Sequence, residues 1–252
     1  MSNRFEEIDT FAKSTLGGTP EAIKVLGILN EEMALEQFTE NTKLYLGRTM
    51  TPRKLVPLIA LAVSLAQGQK ESTLIHYRLA KKFDASIEDI LDIIKISKMA
   101  LMTSTLSTMT SILPVVSTFD AIELKARETE KIMANVMRES GDSQPPENLS
   151  ALSKLSFDLF SEHLREKMEL LSPLSLERKT VFLVAFSVSV SLRDQYCAPV
   201  YLNQYFRNGG SLSHMEDAIS IARFVTGNKV VTTGVEMLND IVSKVDMEKK
   251  IN

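Results

Sequence analysis

Two stretches decide the reading of this chain. They are Arg53-Lys-Leu-Val-Pro-Leu-Ile-Ala-Leu-Ala-Val-Ser-Leu-Ala-Gln-Gly68 and Arg178-Lys-Thr-Val-Phe-Leu-Val-Ala-Phe-Ser-Val-Ser-Val-Ser-Leu192. A shift of 125 residues carries Arg53-Lys54 onto Arg178-Lys179, Val56 onto Val181, Ala60 onto Ala185 and Val63-Ser64 onto Val188-Ser189. The same shift, without a gap, carries Ser86 onto Ser211, Asp92 onto Asp217, Ile94 onto Ile219, Ile96 onto Ile221 and Thr108 onto Thr233. Self-similarity at a fixed spacing is the signature of a structural unit used more than once. The matches fall at a helix start, on its buried face and at the cap of a later helix. The reading is one helical unit used twice, each copy burying its apolar face against the other as a pseudo-twofold pair.

Outward from these segments the chain reads as all helix. Ten glycines and eight prolines sit mostly at breaks. Thr19-Pro20-Glu21 and Thr51-Pro52-Arg53 look like helix starts with a capping threonine and a proline in the first turn. Ser86-Ile87-Glu88-Asp89 is a third start, its acids facing the positive end of the helix dipole. Val25, Ile28, Leu29, Met33 and Leu35 recur near helical spacing in a segment that runs to Leu46. Ile112-Leu113-Pro114 reads as a break, and 121–139 as a charged helix. The valine–serine alternation at 187–191 is the best strand candidate. Its counterpart, Ala60–Ala66, is a plain helix former, so it reads as helix. Gly141-Asp-Ser-Gln-Pro-Pro-Glu-Asn148 is the one clear linker. The expected division is therefore 1–140 (core match 51–113), a linker at 141–148, and 149–252 (core match 175–240).

Composition narrows the function. The 252 residues are 44% hydrophobic and 24% charged, enough for a core without staples. Twenty-nine basic against 32 acidic residues give a net charge of −3, which argues against a nucleic-acid platform. A single cysteine, Cys197, excludes an intrachain disulfide, and three histidines leave little for a metal site. His163 has Glu162 and Glu166 nearby but no second histidine at ligand spacing. The most apolar stretches, Leu55–Ala66 and Val181–Leu192, are far shorter than the roughly 20 residues of a bilayer-spanning helix. The start of the chain has no apolar signal core, so a cytoplasmic protein without membrane contact is expected.

The repeated segment resembles the carboxymuconolactone decarboxylase family, which also contains alkylhydroperoxidase D-like proteins. The resemblance rests on Arg53–Gly68, continues through His76-Tyr-Arg-Leu-Ala80 and ends in Phe83-Asp-Ala-Ser-Ile-Glu-Asp-Ile90. Arg178–Leu192 and Gly209-Gly-Ser-Leu-Ser-His214 match more weakly. The resemblance implies an all-α fold, no metal or organic cofactor, and a homo-oligomer, with a trimer of two-copy chains mimicking a hexamer of single copies.

The family's redox branch resembles E-x₁₁-C-x-x-C-x-x-x-H, in which two thiols share a helical turn beside a proton relay. With the histidine placed on His76, the cysteine positions hold Gln69 and Ser72 and the glutamate position holds Pro57. In the second copy they hold Asp194, Cys197 and Phe182, with Tyr201 at the histidine position. A two-cysteine peroxidase is thereby excluded within one chain. The decarboxylase branch resembles G-x-x-x-E-x-x-x-H-x-R, against which Gly68, His76 and Arg78 match. Glu71 stands one position early, and Ser72 occupies the acidic position. In that chemistry His76 would carry the proton, while Arg78, Arg53 or Lys54 would hold a small carboxylate.

Each candidate also has a plain structural reading. His76 suits a satisfied buried histidine, Cys197 a small buried apolar residue, and Tyr201 a core aromatic that would otherwise donate a proton. Three functions follow: a diverged family member that binds a small molecule, a cofactor-free lyase using His76, and a one-cysteine peroxidase using Cys197.

Overall fold

The computed structural model describes residues 3–16, 18–118, 131–135 and 145–251, and every regular element among them is helical. They are α1 (Asn3–Leu16), α2 (Glu21–Leu29), α3 (Glu31–Glu40), a π-helical turn (Asn41–Leu46), α4 (Leu55–Ala66), α5 (Lys70–Lys82) and α6 (Ile87–Ser104). A 3₁₀ turn (Thr105–Thr108) leads to α7 (Met109–Val116). Then come α8 (Glu147–Leu155), α9 (Phe157–Leu170), α10 (Arg178–Ser191), α11 (Cys197–Arg207), α12 (Leu212–Thr233) and α13 (Val235–Ile251). Residues 187–191 are helical, as expected. The two segments quoted first are α4 and α10, and almost every side chain in them is buried. A helix apolar all round belongs in the middle of a core.

The chain folds as two compact units. One contains residues 1–86 and 212–252, the other 87–211. In the first unit α4 packs against α5 and α12, and α2 packs against α3 and α13. In the second, α10 packs against α11 and α6, and α8 packs against α7 and α9. The cut at residue 86 and the linker at 141–148 divide the chain differently. The helix that follows the α4–α5 hairpin in sequence packs in the second unit, and the helix that follows α10–α11 packs in the first.

Buried aspartates hold this arrangement. Asp92 of α6 accepts hydrogen bonds from the amides of Leu174 (2.7 Å), Ser175 (2.9 Å) and Leu176 (3.0 Å), just before α10. Asp217 of α12 accepts from the Thr51 amide (2.9 Å), just before α4, with Arg48 at 3.8 Å. Asp92 and Asp217 are 125 apart, as are Thr51 and Leu176. Backbone geometry repeats with the same spacing. Left-handed φ occurs at Gly68 (69°) and Arg193 (60°), and again at Asp84 (62°) and Gly209 (82°). One residue further out of step, Asn30 caps α3 through Met33 and Ser156 caps α9 through Leu159.

Several local expectations need correction. Thr19 does not cap α2: Pro20 is the N-cap residue, and the Thr19 hydroxyl donates to Asp9 on α1. Thr51 does not cap α4 either, because the helix begins at Leu55 and the Thr51 amide is taken by Asp217. Pro114 breaks nothing; it lies inside α7, two residues from its end. Glu147 and Asn148 of the expected linker already form the start of α8. Of the helix expected at 121–139, only 131–135 lies within the described residues, and it is helical. The helical run Ile87–Val116 is also 30 residues long and, by length and composition, apolar enough to cross a membrane. Serines and threonines interrupt it in sequence, which hid it from a search for unbroken apolar runs. Within this chain its first half carries the buried Asp89 and Asp92, both hydrogen-bonded to Ser175.

Candidate functional site

The best-formed site lies in the first unit, around His76. Helix α5 places Ser72 and His76 four residues apart, on one face, and both are buried. Opposite them, the π-helical turn delivers Tyr45. π-Turns inside helices re-aim side chains and recur at functional sites. The turn ends at Gly47, where a Cβ would collide with the Thr42 carbonyl, so this close return of the backbone requires glycine.

The Tyr45 hydroxyl lies 2.9 Å from His76 Nδ1, and the two rings meet edge to face at 5.0 Å. Phe224 of α12 stacks on the other face of Tyr45, 5.4 Å between centroids and 9° from parallel. Burial raises the Tyr45 pKa well above its ordinary value, so the phenol keeps its proton. Burial also lowers the His76 pKa to about 3, so the imidazole is neutral. A phenol that must donate, facing a neutral imidazole, fixes the tautomer. Tyr45 donates to Nδ1, and Nε2 carries the ring proton.

That Nε2 is buried and has no hydrogen-bond partner. The Ser72 hydroxyl oxygen and Asn41 Oδ1 are in the same condition. All three residues line a pocket with an inner space of about 50 Å³. Pro20, Ala22, Ile23, Ile75 and Phe224 form its apolar wall, and Gln37, Asn228 and Thr232 contribute further polar groups. Among the described residues that line it there is no Lys, Arg, Asp or Glu. Buried polar groups are nearly always paired. Three orphans around one cavity therefore mark a place that receives hydrogen-bonding atoms from elsewhere.

The remaining residues expected from sequence stand apart from this pocket. Arg53 is exposed and lies over the Phe83 ring at 5.6 Å, and Arg78 is exposed on α5. Glu71 is half-buried beside the start of α2. Its pKa is raised mainly by burial, against a hydrogen bond from the Glu21 amide, with the Glu21 charge adding to the rise. Cys197 and Tyr201 belong to the other compact unit.

The positions that match the pocket in that second unit hold different side chains. Ala22 corresponds to Asn148, Ser72 to Cys197, His76 to Tyr201 and Asn228 to Thr103, at spacings of 125 or 126. The Asn148 side-chain amide donates to Cys197 Sγ at 3.7 Å, and the Tyr201 hydroxyl lies 3.4 Å from that of Thr103. Asp194 accepts from the Cys197 amide at 3.0 Å. Burial, with the Asp194 charge behind it, pushes the Cys197 thiol up to about 12. Burial likewise raises Tyr201 and lowers His163 to about 4. Asn148, Cys197 and Tyr201 are each larger than the residues they match, Ala22, Ser72 and His76.

Tyr45, Asn41, Gln37 and the α12 residues were not legible as site residues. They belong to no motif and reach His76 only through the fold. The one usable signal was the second register, which aligns Pro20 with Pro146 and Gln37 with His163. Among the described residues no group of three or more His, Cys, Asp or Glu is placed to hold a metal ion.

No family model and no curated protein matches the sequence. The crystal structure of a candidate gamma-carboxymuconolactone decarboxylase subunit from Burkholderia xenovorans does match in three dimensions. Its TM-score is 0.77 at 16% identity, covering 95% of this chain and 98% of that one. The chain therefore has the all-α fold of a carboxymuconolactone decarboxylase-like protein, the architecture its repeated segment resembles.

Proposed function

We propose that this chain is a diverged, internally duplicated carboxymuconolactone decarboxylase-like protein. It binds a small molecule at His76 and has no thiol peroxidase centre. The observation that carries this reading is the pocket itself, with Nε2 of His76, Oγ of Ser72 and Oδ1 of Asn41 buried and unpartnered. The residues that match one another across the chain support the duplication: paired left-handed positions, paired helix caps and paired buried aspartates. The two copies have diverged: one lines its pocket with unpartnered polar atoms, while the other pairs Asn148 with Cys197 and Tyr201 with Thr103. Cys197, packed and protonated, lacks the exposed thiolate that peroxide attack requires.

Soaking crystals of the full chain in small organic solvents (acetone, acetamide, acetate, isopropanol) tests the site. At least one should give density against His76 in the wild type and none in Ala22→Asn, which puts the larger residue of the matching position, Asn148, into the pocket wall. A pocket that stays without organic density in every soak would overturn the reading. Hydroperoxide consumption that Cys197→Ser abolishes would overturn the exclusion of thiol chemistry.

A lyase reading rests on the Tyr45–His76 pair, because a phenol–imidazole couple is able to relay a proton. It would show as carboxylate-dependent release of carbon dioxide that His76→Gln eliminates.

A further inference from the structure

The geometry points to a neutral carbonyl compound, a primary carboxamide above all, as the ligand class of the His76 pocket. This rests on the small-molecule site proposed above and goes further by naming its chemistry. The tautomer set by Tyr45 turns Nε2–H toward the site as a donor, and the Ser72 hydroxyl is free to donate or accept. Asn41 Oδ1 is an acceptor without a donor. A carboxamide supplies both halves of that demand, an oxygen for Nε2–H and an N–H for Oδ1. A ketone answers only the first half, and an alcohol has to serve both from a single oxygen.

Charge decides against the anion of the same shape. No cation lines the pocket among the described residues. The acids beside its wall are Glu21 and Glu71, whose like charges already oppose one another. A carboxylate entering here would lose its water and meet no countercharge, the costliest way to bury an ion. Burial keeps His76 neutral, so the pocket holds no standing countercharge. Arg53 and Arg78, the side chains that could hold a carboxylate, are exposed and outside the lining. The inner space of about 50 Å³ suits a group of only a few heavy atoms, so the carbonyl enters as a small molecule or as the end of a longer one.

Acetamide and acetate differ in little but charge, and they form the test. The readout is the pair of His76 ring nitrogens in ¹⁵N-labelled full-length protein at pH 7, identified by the signals lost in His76→Gln. Acetamide should shift the Nε2 signal saturably, and acetate should bind at least about tenfold more weakly. Both effects should vanish in Ala22→Asn, whose His76 signals also report whether that variant keeps the native site. Acetate binding as well as acetamide would overturn the neutral-ligand inference and leave the small-molecule site standing. No saturable shift with either compound would overturn both.

Discussion

His76 and Cys197 are both buried, and burial keeps both neutral. For the thiol this means the loss of reactivity. With its pKa pushed up to about 12, less than roughly one molecule in ten thousand carries the thiolate at pH 7. Alkylation of native protein by iodoacetamide should therefore be slow at pH 8 and become fast only in denaturant. Rapid labelling of native Cys197 would contradict the packing described. For the imidazole, neutrality makes stability depend on pH. The unfolded His76 has a pKa near 6.5, and the folded one near 3. Between those values the unfolded state binds the extra proton, so stability falls as pH falls through this window, by up to about 1.4 kcal/mol per pH unit. His163 adds the same sign between about 6.5 and its folded value of about 4. Urea denaturation from pH 7 to 4 should show this loss, and His76→Gln should make it shallower. Tyr45→Phe removes the hydroxyl that donates to Nδ1 and should cost about 1–3 kcal/mol. In that variant the ring proton should redistribute between the two nitrogens, which ¹⁵N shifts read directly.

At the scale of elements, two buried aspartates fasten the long helices to the starts of α10 and α4. Asp92 serves three amides and Asp217 one. Removing either carboxylate orphans buried N–H groups, and the cost rises with their number. Asp92→Ala should therefore destabilise by about 3 kcal/mol or more, and Asp217→Ala by about half as much. Equal losses in urea melts would mean that helix packing, and not these hydrogen bonds, dominates. The repeated segment announced α4 and α10 because their apolar residues run round the whole helix, a pattern that only a core position explains. Helix starts were harder to place. Thr19 and Thr51 have the right residue type at the right spot, yet the Thr19 hydroxyl donates to Asp9, and Thr51 meets Asp217 through its amide while its hydroxyl oxygen has no partner. Capping propensity is a local preference, and a distant carboxylate outbids it.

At the scale of the molecule, the two compact units do not follow the order of the chain. The first draws on both ends and the second is one contiguous segment, 87–211. A fragment ending at 140 would hold α4 and α5 without α12, which supplies Phe224 and the Asp217 carboxylate that accepts from the Thr51 amide. It should fail to unfold cooperatively when followed by circular dichroism. The fragment 87–211 keeps α6, α10 and α11 together with the Asp92 hydrogen bonds, and should melt cooperatively. The opposite result would place the folding units at the sequence halves.

The sequence by itself determined that the chain is helical, which helices are central, and that a paired-thiol centre is impossible. These follow from local periodicity, from a self-match at constant spacing and from the count of one cysteine. It singled out His76 and Ser72, because their helix carries the matching segment. Tertiary structure alone decided what His76 meets. Tyr45 comes from a π-turn 31 residues earlier in the chain and Phe224 from a helix 148 residues later. The orphaned Asn41 and Ser72 oxygens are orphaned only because of how these elements pack. A cavity is a property of what fails to touch, and contacts between distant residues, which no periodicity records, decide where it lies.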